Sequence, residues 1–148
     1  MAISPKPVDF PKSALRHMHD AKLLEASNRL PNAGYLYGYV AECGLKALLA
    51  WHGHPTDPEG SFERSSGFRY HVDELVIAAR FASLRLYVGG RAGAKYLAMI
   101  PSIDAFSDWK VYHRYFSEAA LPASFSKWKA AALEVGQMLD TAFQDGMR

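Results

Sequence analysis

Glu42 and Lys46 stand four residues apart inside Gly34–Leu49, a run that carries no other formal charge. At 100° per residue they share one narrow helical stripe with Tyr35, Tyr39 and Leu49. A carboxylate, an ammonium group and two phenols on one face admit two readings. One is an i,i+4 ion pair on the wet face of a helix, worth a few tenths of a kcal/mol. The other is a polar seam inside a bundle, where a buried pair must be hydrogen-bonded to be tolerated and so marks a binding site.

Two further residues bear chemistry. His71 can take or give a proton near neutral pH. Arg114 lies in an aromatic run with Trp109, Tyr112, Tyr115 and Phe116. Such interleaving can stack a base and hold its phosphate. It can equally plug the open end of a bundle, with Arg114 paired to Asp20 or Glu42. The remaining candidates point to structure. His17 and His19 are two apart and face opposite sides of a helix, so they cannot share a metal. His52 and His54 sit at a helix end with no Cys or carboxylate at ligand spacing, which fits capping. Cys43 reads as a small packed hydrophobe. No Gly-rich phosphate loop follows a strand, and there is no nucleophile elbow. No metal or cofactor is expected.

The elements that must position these residues are helical. Pro5, Pro7 and Pro11 make residues 1–11 an extended leader. A first helix is expected from Lys12 to Arg29, with Leu15, His19, Leu23, Ala26 and Leu30 on its stripe, ending at Pro31. Asn32 is the expected N-cap of a second helix reaching Gly53. That helix is apolar nearly all round and belongs in the middle of a bundle, with Gly34, Gly38 and Gly44 letting a neighbouring backbone come close. Residues 54–68 read as a loop. A third helix is expected over His71–Leu86, broken at Val88-Gly89-Gly90, then a short one over 91–100. The stretch 103–116 fits neither period. A last helix starts at Ser124 or Ser126 and runs to Gln144. The whole is an all-α, up-and-down bundle of four to five helices, with residues 12–148 as one domain.

Bulk composition agrees with this. The 148 residues are 49% hydrophobic and 22% charged, which excludes wholesale disorder and suits one domain with a real core. A net charge of +2 permits contact with a phosphate backbone without arguing for it. One cysteine allows no internal disulfide, and a reducing compartment is expected. No segment has the apolar length to span a bilayer, so the cytoplasm is the expected location.

The pieces Asp20-Ala21, Ala33-Gly34-Tyr35-Leu36, Gly38-Tyr39, Glu42-Cys43-Gly44-Leu45-Lys46-Ala47, His71 with Leu75, and Trp109 with Val111 and Arg114-Tyr115 together resemble bacterial proteins of the HEPN superfamily. The resemblance covers residues 15–116 and is densest over 33–47. It implies a HEPN-like bundle that forms a homodimer, often encoded beside a nucleotidyltransferase-type partner protein in toxin–antitoxin and defence loci. It leaves activity open, since the superfamily holds both ribonucleases and non-catalytic binding modules. Catalytic members carry Arg, four to six residues, then His. Arg64 and His71 match the upper limit of that spacing, although Ser65-Ser66-Gly67 places Arg64 in a loop rather than on a helix.

Three expectations follow. The first is a binding module taking a nucleotide, RNA or a partner protein at a seam of Asp20, Tyr39, Glu42, Lys46, Arg114 and Tyr115. The second is a metal-independent endoribonuclease with His71 as acid or base and Arg64 or Arg114 on the phosphate. The third is a non-enzymatic assembly module.

Overall fold

The computed structural model describes residues 6–66, 68–76 and 90–148. The expected third helix therefore lies outside the described residues beyond Val76, as do residues 1–5 of the leader. Among the described residues the chain is an all-α bundle with no strand beyond one isolated bridge. Its α-helices are α1 (Phe10–Ala26), α2 (Leu30–Trp51), α3 (Val72–Leu75), α4 (Gly90–Ala98) and α5 (Phe125–Gln144).

The extended leader stops two residues sooner than Pro11 implied. Pro11 lies in the first turn of α1, where its missing N–H has no intrahelical partner to lose. Asp9 caps that turn, its carboxylate accepting from the Lys12 amide at 3.1 Å. Ahead of it, the Val8 amide donates to the Glu59 carbonyl at 3.0 Å, which ties the leader to the 57–61 turn. Pro31 likewise begins a helix instead of ending one. It occupies the first turn of α2, so α2 starts at Leu30 with Arg29 at the cap position, and Asn32 lies within the helix. The α1–α2 link is only Ser27-Asn28-Arg29, closed by Asn28 at φ 59 and by the Arg29 amide donating to the Leu24 carbonyl at 2.8 Å.

The core is built around α2, as its composition implied. Tyr37, Val40, Ala41, Leu45, Leu48 and Leu49 are buried there, in one core cluster with Trp128, Ala132, Val135 and Leu139 of α5 and with Ile103 and Phe106 from the segment between α4 and α5. The inward face of α1 differs from the leucine stripe expected of it. Ala14, Met18 and Ala21 are buried, whereas Leu15 is 37% and Leu23 56% exposed. Small residues let α1 lie close against the crowded side of α2, and closeness outweighs the larger hydrophobic area of leucine.

The glycines of α2 admit side chains, where neighbouring backbones were expected. A Cβ on Gly34 would meet the Phe125 ring, one on Gly44 would meet Val135, and one on Gly38 would fall inside the Trp109 indole. Residues 54–66 and 68 form the expected loop, closed by an antiparallel bridge between Thr56 and Phe62 and by the Asp57 carboxylate, which accepts from the Glu59 and Ser61 amides at 3.0 Å each. The aromatic stretch that fitted neither period consists of two 3₁₀ segments, Ile103–Asp108 and Val111–Tyr115. Three residues per turn match neither template.

Candidate functional site

Glu42 and Lys46 are the two buried charged residues among those described, 7% and 8% exposed. The wet-face reading is thereby excluded: the pair lies inside the bundle. The Lys46 ammonium donates to Glu42 Oε2 at 3.3 Å, and the Lys46 Nζ lies 6.0 Å from the centre of the Phe10 ring. The other carboxylate oxygen, Oε1, is met at 2.9 Å by Nδ1 of His71. Each oxygen of Glu42 thus has its own hydrogen-bond partner, which is the condition for tolerating a buried carboxylate.

His71 sits at the cap position of α3 in extended conformation, and its carbonyl accepts from the Glu74 and Leu75 amides. That turn fixes the backbone while Glu42 fixes the ring. The side chain remains 40% exposed, so the imidazole is partly open to solvent. The hydrogen bond to Glu42 raises its pKa above 6.5 against an opposing loss of hydration, with Glu42 and Asp73 favouring the cation and Lys46 opposing it.

Aromatic rings wall the site. Trp109 lies over Gly38 and donates its indole N–H to the Tyr35 carbonyl at 3.2 Å. Its ring stacks on Tyr35 at 5.2 Å and meets Tyr39 edge-on at 5.5 Å. The Tyr35 and Tyr39 hydroxyls are hydrogen-bonded at 3.0 Å. Burial, foremost, holds the Tyr39 phenol well above its ordinary pKa, so it stays protonated. Tyr39 also meets His71 at 6.1 Å and, on α1, His17 at 5.4 Å. Lys110 Nζ donates to Asp73 at 3.0 Å, pinning the 3₁₀ segment to α3.

Of the residues singled out in the sequence, Tyr39, Glu42, Lys46 and His71 converge. Arg114 stands at the rim, exposed, where its charge bears on both Tyr35 and Tyr39. Its pairing is with Tyr115 rather than a carboxylate: Nη2 donates to the Tyr115 hydroxyl at 3.0 Å, and the guanidinium lies 5.0 Å from that ring's centre. Tyr115 itself is 75% exposed. Asp20 is exposed on α1 and is felt at His17, but among the described residues no hydrogen bond or ion pair joins it to Glu42, Lys46 or Arg114. Arg64 opens an exposed 3₁₀ turn and is not among the charges that bear on His71. Among the described residues no hydrogen bond or ion pair joins Arg64 to His71. Cys43, 8% exposed, has its thiol pushed up to about 12 by burial and is a packed hydrophobe.

Two members of the site escaped the sequence reading in these roles: His71 as the partner of Glu42, and His17 as a neighbour of Tyr39. A buried carboxylate with only one cation on its own helix was the available signal for a further donor.

The arrangement presents an oriented, partly exposed imidazole, a hydrogen-bonded phenol pair and a rim guanidinium, all suited to an anionic ligand. Among the described residues no group of three His, Cys, Asp or Glu is placed to hold a metal ion, and no helix is long and apolar enough to cross a membrane. No family model, no curated protein and no solved structure matches the chain.

Proposed function

We propose that the chain is a HEPN-like module that binds RNA or a nucleotide through its phosphate, at the surface where Glu42 holds His71. The observation that carries this reading is the 2.9 Å bond from a buried carboxylate to a partly exposed imidazole. It favours the imidazolium form of His71 at the surface, and Arg114 adds a cation on the rim. The HEPN resemblance supports the same ligand class. A homodimer, a nucleotidyltransferase-type partner and a toxin–antitoxin or defence role come from that resemblance and belong to the same proposal. Endoribonuclease activity is the second reading. It is favoured by the Glu42–His71 bond, which orients and raises an imidazole as acid–base catalysis requires.

Fluorescence anisotropy with a short single-stranded oligoribonucleotide and with adenosine monophosphate tests the binding. Affinity is expected to fall as pH rises through the raised imidazole pKa, because the cation is lost there. His71→Gln should weaken binding about tenfold and flatten that pH dependence. Arg114→Met should reduce the slope of log affinity against log salt by about 0.7 for the one phosphate contact removed. Equal affinity of wild type and both variants at pH 6 would remove this surface as the binding site.

A further inference from the structure

Arg114 belongs to a second feature of the surface besides the rim of the His71 site. It lines a cavity of about 230 Å³ together with Arg29, Pro31, Asn32, Phe116 and Glu118. Pockets for drug-sized molecules begin at roughly 300 Å³, so this one suits a single planar ring system rather than a whole nucleotide. The backbone holds its walls in place. Arg29 ends the α1–α2 link, where its amide donates to the Leu24 carbonyl at 2.8 Å, and Pro31 and Asn32 follow in the first turn of α2. Phe116 directly follows the Val111–Tyr115 segment, and its amide donates to the His113 carbonyl at 3.0 Å.

Phe116 is 40% exposed, yet its ring meets His113 edge-on at 4.8 Å and Tyr112 at 5.8 Å. A partly exposed ring that its neighbours already hold has little side-chain freedom to lose on stacking against another ring. Beside it Arg29 Nη1 meets Glu118 Oε1 at 2.6 Å, with both side chains more than half exposed. Such a pair adds little to the fold and opens readily to a ligand. Among the described residues neither side chain has another hydrogen-bond partner, and the Asn32 amide group has none. A carboxylate and a guanidinium side by side match one base better than the rest. Guanine has adjacent donors, N1–H and the 2-amino group, for a carboxylate, and adjacent acceptors, O6 and N7, for a guanidinium. Each of the other bases offers a carboxylate a single donor group. A bare phosphate would have the Glu118 charge against it.

We propose that this cavity is a guanine-selective base site, in which the base stacks on Phe116, Glu118 accepts from N1–H and the 2-amino group, and Arg29 donates to O6 and N7. The inference rests on the nucleotide reading above and names the base which that reading leaves open. Arg114 links the two sites, since it lines the cavity and its charge also bears on Tyr35 and Tyr39. The phosphate of a guanine nucleotide held here lies within the field of Arg114 and extends toward His71. Stacking on an aromatic ring combined with hydrogen bonds along a base edge is how unpaired bases are read.

The test is displacement of a fluorescent single-stranded oligoribonucleotide from the full chain, read by anisotropy. The competitors are the 5′-monophosphates of guanosine, adenosine, cytidine, uridine and inosine, and inorganic phosphate. The guanosine nucleotide is expected to compete about ten- to a hundredfold better than those of adenosine, cytidine and uridine. The inosine nucleotide, which lacks only the 2-amino group, should be about tenfold weaker than that of guanosine. Glu118→Gln should cost the guanosine nucleotide about tenfold and leave the adenosine nucleotide unchanged, whereas Phe116→Leu should weaken all of them about tenfold. Both side chains are exposed, and the inosine comparison reads the Glu118 contact without any substitution. Equal competition by the nucleotides overturns the guanine site and leaves the phosphate reading standing. Tighter binding of every nucleotide and of inorganic phosphate to Glu118→Gln also overturns it, because the cavity is then an anion site that Glu118 fills. A chain that binds neither the oligoribonucleotide nor any competitor overturns both readings.

Discussion

Glu42→Leu is expected to destabilise the fold by about 3 kcal/mol, a fall of roughly 10 °C in Tm. The substitution removes both hydrogen bonds to the carboxylate and leaves the Lys46 ammonium, 8% exposed, without its counter-charge. The loss is a desolvation cost rather than the value of the pair itself. Accordingly, Glu42→Leu combined with Lys46→Met should return to within about 1 kcal/mol of wild type, since two apolar side chains of similar volume suit that environment. The double variant should nonetheless lose the raised pKa of His71 and the binding that depends on it. Thermal and urea unfolding of the two singles and the double measure this cycle. Additive losses would mean that the two side chains act independently, contrary to the seam.

Gly38→Ala carries the second large effect. A Cβ there has nowhere to go, because the Trp109 indole fills the space and is itself fully buried and bonded to the Tyr35 carbonyl. The indole must leave α2, taking with it the stack on Tyr35 and the wall beside Tyr39 and His71. The expected cost is about 3 kcal/mol, at the upper end for overpacking, because a rigid ring cannot yield as a flexible chain end would. Trp109→Leu should recover part of it in the double variant, which neither single change predicts. Trp109 fluorescence and unfolding curves check this; a Gly38→Ala protein as stable as wild type would show that the indole is not held against the helix.

How far the sequence carried the account depends on the kind of contact involved. The central place of α2 was readable because a helix apolar on nearly every side has no wet face to offer, and the stripe of Tyr35, Tyr39, Glu42 and Lys46 follows from helical spacing alone. The same spacing misled on α1. It favours Leu15 and Leu23, whereas the packed face is Ala14, Met18 and Ala21, chosen by how near two backbones can come. Pro31 shows a related ambiguity, since proline both stops one helix and starts another, and periodicity does not say which. The Glu42–His71 contact spans 29 positions across a turn-rich loop, and no local period encodes it. Nor does any period encode Trp109 over Gly38, which joins a 3₁₀ segment to a helix far earlier in the chain.

The pH dependence has a definite sign. The His71 pKa is raised on folding, so its contribution to stability is fully present below the unfolded value near 6.5 and is lost as pH rises through the folded value. The direct measurement is an NMR titration of the His71 ring in the wild type and in Glu42→Gln, whose amide occupies the same volume without the charge. A wild-type pKa above 6.5 that drops in the variant is the predicted result. A His71 pKa at or below 6.5, unchanged by the loss of the carboxylate, would contradict the site at its foundation.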